Sequence, residues 1–307
     1  MQPSGSRFFM RIRPRIPLHQ IRVTIYFANQ FMLSSVQSIT ESIWLNRYSG
    51  HNLVMFVDKA FSAHFDEAET HADKVHRIMT VSGFVSSVDK WKRFERDWPA
   101  ILDKHGLPEG TLFHMKEFAR NNGVYKIFKD NSSKKAALIS DLLKCAHVNT
   151  RKSFSVSVVL RDYEAVDAKY EFHELHGYPY PFCGIVCVDA MMKWKIKNKI
   201  DGPVETFFES GATHWGQLET LVQKSHGFTP IKKLKQEMVQ FQCADLIAWK
   251  NRRALELTKE KGHTRDEEIL DSIFRSQKEV DKIPQFSGVY DKQGLLKICE
   301  QNKIKRR

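Results

Sequence analysis

The chain has 307 residues, 42% of them hydrophobic and 27% charged, a globular balance with length enough for one large core or two small ones. No apolar run approaches the roughly 20 residues that a bilayer crossing needs, so a soluble protein is expected. The formal charge of +12 suits a polyanionic partner such as nucleic acid or, equally, a solvated surface with a lysine excess, and five scattered cysteines fit a reducing, cytoplasmic setting with no disulfide framework.

Residues 1–50 differ from the rest. Arg7, Arg11, Arg13, Arg15 and Arg22 stand among Ser, Pro and aromatics, with no acid before Glu41. A basic nucleic-acid-binding arm, an organelle-targeting presequence and a disordered extension all fit; the lack of any sustained period favours the extension. Next, Leu53–Val57 is an unbroken apolar run, which predicts a strand buried on both faces. Asp58 follows it, either as a turn residue or as a carboxylate that needs a partner or a metal. Residues 62–76 (SAHFDEAETHADKVH) read as an exposed hairpin loop, because His64, Asp66, Glu67, His71 and His76 match no metal-ligand spacing.

Ile78–Val85 is expected as the returning strand, followed by a helix that Asp89 can cap and that runs to about Leu102. Trp91, Phe94, Trp98 and Ile101 form its apolar stripe, and Pro99 should kink it. A helix is predicted over 133–147, and Phe154, Val156 and Val158 alternate with serines as in a half-buried strand. Residues 170–182 look irregular. A helix from near Pro181 to Asn198 ends in four lysines between 193 and 199, solvated or available to phosphates. Val204–Glu209 is a strand ending in a second carboxylate, residues 228–241 are one more extended pass, and 242–257 is the strongest helix, with Asp245 in its first turn.

The chain lacks GxxxxGK[ST], a GxGxxG after a strand, GxSxG and HExxH, which argues against P-loop hydrolases, Rossmann dehydrogenases and α/β-hydrolases. His173, His176, Cys183 and Cys187 have the residue types of a zinc site, but the two cysteines lie four apart in an apolar helix and read more simply as core. The carboxylates offer more. If the strands of Asp58 and Glu209 are parallel neighbours, both acids reach one rim of the sheet, and a helix across that rim can bring Asp245 to them. Converging carboxylates repel unless a cation neutralises them, and oxygen ligands suit Mg2+ or Mn2+.

Five segments in order, LVMFVDKAF, VSGFV, FHMKEFA, VETFFESG and QCADLIAW, resemble a large, mostly prokaryotic family, domain of unknown function 3800, over about residues 52–257. The family is grouped with ribonuclease H-like folds, so the resemblance implies a mixed sheet with three antiparallel strands followed by parallel ones. Its first-strand Asp falls on Asp58, its late-strand acid on Glu209, its Gln-x-Ala-Asp helix on Gln242 and Asp245, and its His-x-x-acid motif on His114 and Glu117. The family reads Asp-Glu-Ser or Asp-Asp-Ser at the first strand, whereas Lys59 follows Asp58 here. His114 is then expected as a proton shuttle or phosphate ligand, and Asp189 as a further candidate acid.

The expected fold is α/β, a ribonuclease H-like mixed sheet flanked by helices, with insertions and a helical C-terminal appendage. Residues 1–50 are the extension, 51–257 the domain, and 258–307 a charged linker with short helices. The expected function is a metal-dependent nuclease on DNA or RNA, with Asp58, Glu209 and Asp245 holding Mg2+ or Mn2+, His114 and Glu117 beside them, and Arg252 and the 193–199 lysines touching the substrate backbone. The alternative, favoured by Lys59, is a degenerate module of the same fold that binds nucleic acid or a protein partner without chemistry.

Overall fold

A computed structural model describes residues 60–69, 77–257, 265–276, 282–304 and 306, and the short strands at 25–27 and 53–55. In chain order the elements are β1 (Ile25–Phe27), β2 (Leu53–Met55), β3 (Phe61–Glu69), β4 (Ile78–Ser87), α1 (Val88–Lys104), α2 (Met115–Ala119), a 3-10 turn (Gly123–Phe128), α3 (Ser132–Asn149) and β5 (Lys152–Val159). There follow α4 (Leu160–Tyr170), α5 (Phe172–His176), α6 (Pro179–Lys197), β6 (Val204–Glu209), α7 (Trp215–His226), β7 (Ile231–Lys233), α8 (Gln240–Leu257), α9 (Arg265–Ser276), β8 (Gln285–Tyr290) and α10 (Lys292–Gln301).

Six strands make one sheet in the order β7-β6-β3-β4-β5-β8. The pairs β3–β4 and β4–β5 are antiparallel, while β6 runs parallel to β3, and β7 parallel to β6. Three consecutive antiparallel strands with parallel strands added beside the first is the order expected of a ribonuclease H-like sheet, and helices cover both faces. β8 pairs parallel with β5, so the C-terminal region, where only short helices were expected, also supplies an edge strand.

The central strand is not the one the apolar run suggests. Leu53–Met55 pairs antiparallel with Ile25–Phe27 in a separate two-stranded sheet, and Asp58 lies outside the described residues. The sheet is built instead on Phe61–Glu69, whose first six residues are buried. Phe61, Ala63 and Phe65 face one core, with α6, and Ser62, His64 and Asp66 face the side of α1 and α8. A strand with polar residues at every second place looks like a half-wet hairpin. Here the polar face is covered: Ser62 Oγ meets His64 Nε2 at 3.0 Å, and the His64 ring stacks on Phe207.

The neighbouring strands share this device. Thr80 and Ser82 of β4 bond across to Ser157 and Ser155 of β5 at 2.8 and 2.7 Å, so serines that suggested a solvent face are buried and satisfied. Small side chains there let α8 approach with its own small residues, Ala244 and Ala248, both fully buried. Gly83 is needed for a related reason. A Cβ at that position would stand 2.3 Å from the His64 carbonyl oxygen and from a Phe65 ring carbon. On the same side, α1 buries Trp91, Phe94, Trp98 and Leu102 and runs through Pro99 without ending.

A candidate carboxylate site around Lys235

β3 and β6 pair in parallel register through Phe65↔Phe208. Asp66 and Glu209 are the next residues on each strand. Side chains at matched positions of parallel neighbours point to the same face, so the two acids stand side by side at the C-terminal edge. α8 crosses that face and brings Asp245 from its second turn.

The three acids enclose one point, and the ammonium of Lys235 occupies it. Its Nζ lies 2.9 Å from Asp66 Oδ2, 3.0 Å from Glu209 Oε2 and 3.3 Å from Asp245 Oδ2. Lys235 sits in the turn between β7 and α8, and its side chain is only 5% exposed. A buried ammonium is costly unless paired, and here three carboxylates outweigh that cost: burial alone would lower the lysine's pKa, but Asp245, Asp66 and Glu209 together hold it well above the ordinary lysine range. Burial pushes Asp66 well above the usual carboxylate range, helped by a hydrogen bond shared with Glu209 and opposed by Lys235. Asp245 goes the other way. Burial would raise it, but the His114 hydrogen bond, Lys235 and the Met115 N–H outweigh burial and hold it below.

Three successive backbone N–H groups fix His114 at this site. Phe113 N–H donates to Gln242 Oε1 at 2.8 Å, His114 N–H to Tyr125 Oη at 3.0 Å, and Met115 N–H to Asp245 Oδ2 at 3.0 Å. The imidazole Nδ1 of His114 is then 3.3 Å from Asp245 Oδ2 and 3.4 Å from Lys235 Nζ, so it donates to the first or accepts from the second according to tautomer. His114 is the extended residue before α2, not part of the helix, so it does not share a helical face with Glu117. Glu117 lies in the first turn of α2, and none of the described contacts joins it to the acids.

Of the acids read from the sequence, Glu209 and Asp245 meet; the third member is Asp66, from the segment expected to be an exposed loop. One signal pointed to it. The resemblance expects an Asp-Glu pair at the first strand, and Asp66-Glu67-Ala68 carries that pair where Asp58-Lys59 does not. Glu67 points to the opposite face from Asp66. Burial and then the charge of Asp66 push its carboxyl up to about 8, and its Oε2 is buried without a hydrogen-bond partner. Lys235 had no sequence signal beyond being one basic residue in an extended pass.

Other candidates lie elsewhere. Asp189 pairs with His226 at 2.6 Å, and Arg252 pairs with Glu256. Lys193, Lys195 and Lys197 stand at the far end of α6 from Tyr180, whose pKa is raised by burial and then by the charges of Glu67, Asp66 and Glu209. Cys183 and Cys187 are buried thiols in α6, His173 pairs with Asp167 at 2.8 Å, and the His176 ring packs on Phe172. Among the described residues, no group of three or more His, Cys, Asp or Glu stands in an arrangement ready to hold a metal ion, and none of the helices is long and apolar enough to cross a membrane.

No protein-family model matches this chain, and no curated protein matches it. Among solved structures, it is similar to a chain of the PCNA:RNase HII complex from Archaeoglobus fulgidus, at 16% identity and a TM-score of 0.34, over 73% of this chain and 91% of that one. At that score the likeness carries no argument, and the fold class rests on the order and direction of the strands.

Proposed function

We propose that this chain is a metal-dependent nuclease that hydrolyses phosphodiester bonds in DNA or RNA, with Asp66, Glu209 and Asp245 as the carboxylates that hold Mg2+ or Mn2+. One observation supports the reading above others: oxygens from three elements lie within 3.3 Å of a single point at the C-terminal edge of two parallel strands. The donor set fits such an ion in kind, being hard carboxylate oxygens. When bound, the ion would supply charge stabilisation at phosphorus and a water of lowered pKa.

The chain's own residues do the rest. The parallel register sets the spacing of Asp66 and Glu209. The Met115 N–H holds Asp245 in one rotamer. His114 turns Nδ1 inward while 46% of its side chain faces solvent, which places its other nitrogen to exchange a proton with a bound substrate.

The experiment is cleavage of single- and double-stranded DNA and RNA by the full chain with Mg2+ or Mn2+. Asp66→Asn, Glu209→Gln and Asp245→Asn should each lower cleavage on the order of a hundredfold or more with the circular dichroism spectrum retained. Wild-type protein that cleaves none of these substrates, or Asp66→Asn as active as wild type, overturns the proposal.

Lys235 also favours a second reading. An ammonium that stays among the acids holds the position a metal would take, and the fold is then a module that binds nucleic acid or a protein partner without chemistry. A gel shift with a steep salt slope and no products selects this reading.

A further inference from the structure

We infer that Lys235 is a resident counter-cation with two positions, one among the three carboxylates and one in the adjoining cavity, and that a divalent ion enters the site only by displacing it. The inference rests on the metal-dependent reading above and concerns how that site is regulated.

The inward position is seen directly. Lys235 Nζ makes contacts of 2.9, 3.0 and 3.3 Å to Asp66, Glu209 and Asp245 and of 3.4 Å to His114 Nδ1. A small divalent ion binds carboxylate oxygens at about 2.0–2.2 Å, so the same oxygens must draw inward around it, into the space the ammonium fills. Two cations within about 3 Å of each other at a 5% exposed position repel strongly, so the exchange is one for the other.

The second position is supplied by the cavity. A cavity of about 420 Å³ adjoins the site and Lys235 forms part of its wall, with Gln242 beside it. Most of the rest of the lining comes from the end of α1 and the loop after it, and its charged members are Asp103 and Glu109. A four-carbon stem that leaves the inner carboxylates therefore swings into a space where other carboxylates wait. Occupancy of the inner position lowers the apparent affinity for metal by the fraction of molecules in which the lysine is out.

The test is calorimetric titration of Mn2+ into the full chain and into Lys235→Met, with Asp245→Asn as the site control. Lys235→Met should bind Mn2+ at least about tenfold tighter than wild type, because the competing occupant is gone. Binding of equal or lower affinity in a folded Lys235→Met overturns the inference and leaves the nuclease reading standing. Two folded proteins that both fail to bind Mn2+ overturn the inference and the nuclease reading together.

Removing the ammonium from among three acids can unfold the chain, so wild type carries a second measurement. In protein with 15N at the lysine Nζ, the Lys235 ammonium signal, assigned by its loss in Lys235→Arg, should shift as Mg2+ is added. Saturation with Mg2+ that leaves that signal in place overturns the inference whatever the methionine variant does.

Discussion

His64 places an imidazole at the centre of the sheet with one hydrogen-bond partner, Ser62, and with its Nδ1 buried and unpartnered. Phe207 stacks on it at 5.0 Å, and Trp91 stands edge-on at 5.1 Å. Burial pushes its pKa down from 6.5 to about 3. Above pH 6.5 the ring is neutral whether the chain is folded or not, and it is indifferent to pH. Between 6.5 and about 3 the unfolded chain takes up a proton that the folded chain refuses, so stability is lost as pH falls through that window. At full slope this is about 1.4 kcal/mol per pH unit. His64→Phe should flatten the fall in urea midpoint between pH 6.5 and 4.5, whatever it does to the midpoint at neutral pH. Equal slopes in the two proteins would rule His64 out as the source. At this scale the sequence made Glu209 and Asp245 legible, because a carboxylate that ends an apolar strand, or opens an Ala- and Leu-rich helix, is out of place. Asp66 was hidden by its neighbours: Ser62, His64 and Glu67 gave it the look of surface. Lys235 was illegible, since only its burial among acids separates it from the exposed lysine at 232.

Between elements, the site depends on how α8 is fastened to the loop ahead of α2. Gln242 Oε1 accepts from Trp98 Nε1 at 3.0 Å and from Phe113 N–H at 2.8 Å, joining α1, the loop and α8 at one amide. Gln242→Leu strands both donors in the core at about 1–3 kcal/mol each, so a loss of roughly 2–6 kcal/mol is expected in urea unfolding. Gln242→Glu keeps an acceptor for both bonds and should recover most of that loss. A leucine variant within about 1 kcal/mol of wild type would show that Trp98 and Phe113 find other partners. The same fastening carries His114 to Asp245, so the leucine variant should also weaken whatever the site does. Helices were the most legible elements because their apolar stripes point one way: Trp91, Phe94 and Trp98 are all buried. Strands were less legible. β3, β4 and β5 bury both faces, one apolar and one made of Ser, Thr and His, and the second face mimics a solvent face until α8 covers it.

For the molecule as a whole, the question is where the core ends. All six strands of the main sheet come from Phe61 onward, and the last of them, β8, comes from the C-terminal region. That region is more than an appendage. β8 occupies the open edge of β5, Tyr290 packs edge-on against Phe182 at 5.0 Å, and α10 buries Leu295 and Cys299 in the core that lies under α6. Asp162 of α4 also accepts from the Lys292 N–H at 3.0 Å, tying the start of α10 to the preceding layer. A chain ending at Ser276 loses about 2 kcal/mol from Leu295 alone and about 1 kcal/mol from the aromatic pair, besides the ladder bonds of β8. It should melt roughly 10 °C lower. It should also associate, because β5 becomes an exposed edge with unpaired N–H and C=O groups. Calorimetry and size-exclusion chromatography of the truncated and full chains check both effects. A monomeric truncated protein with an unchanged melting temperature would return the C-terminal region to the peripheral role that its charged sequence suggests. The expected result makes it the sixth strand of one cooperative sheet, whose stability reaches the carboxylate edge through β5, β4 and β3.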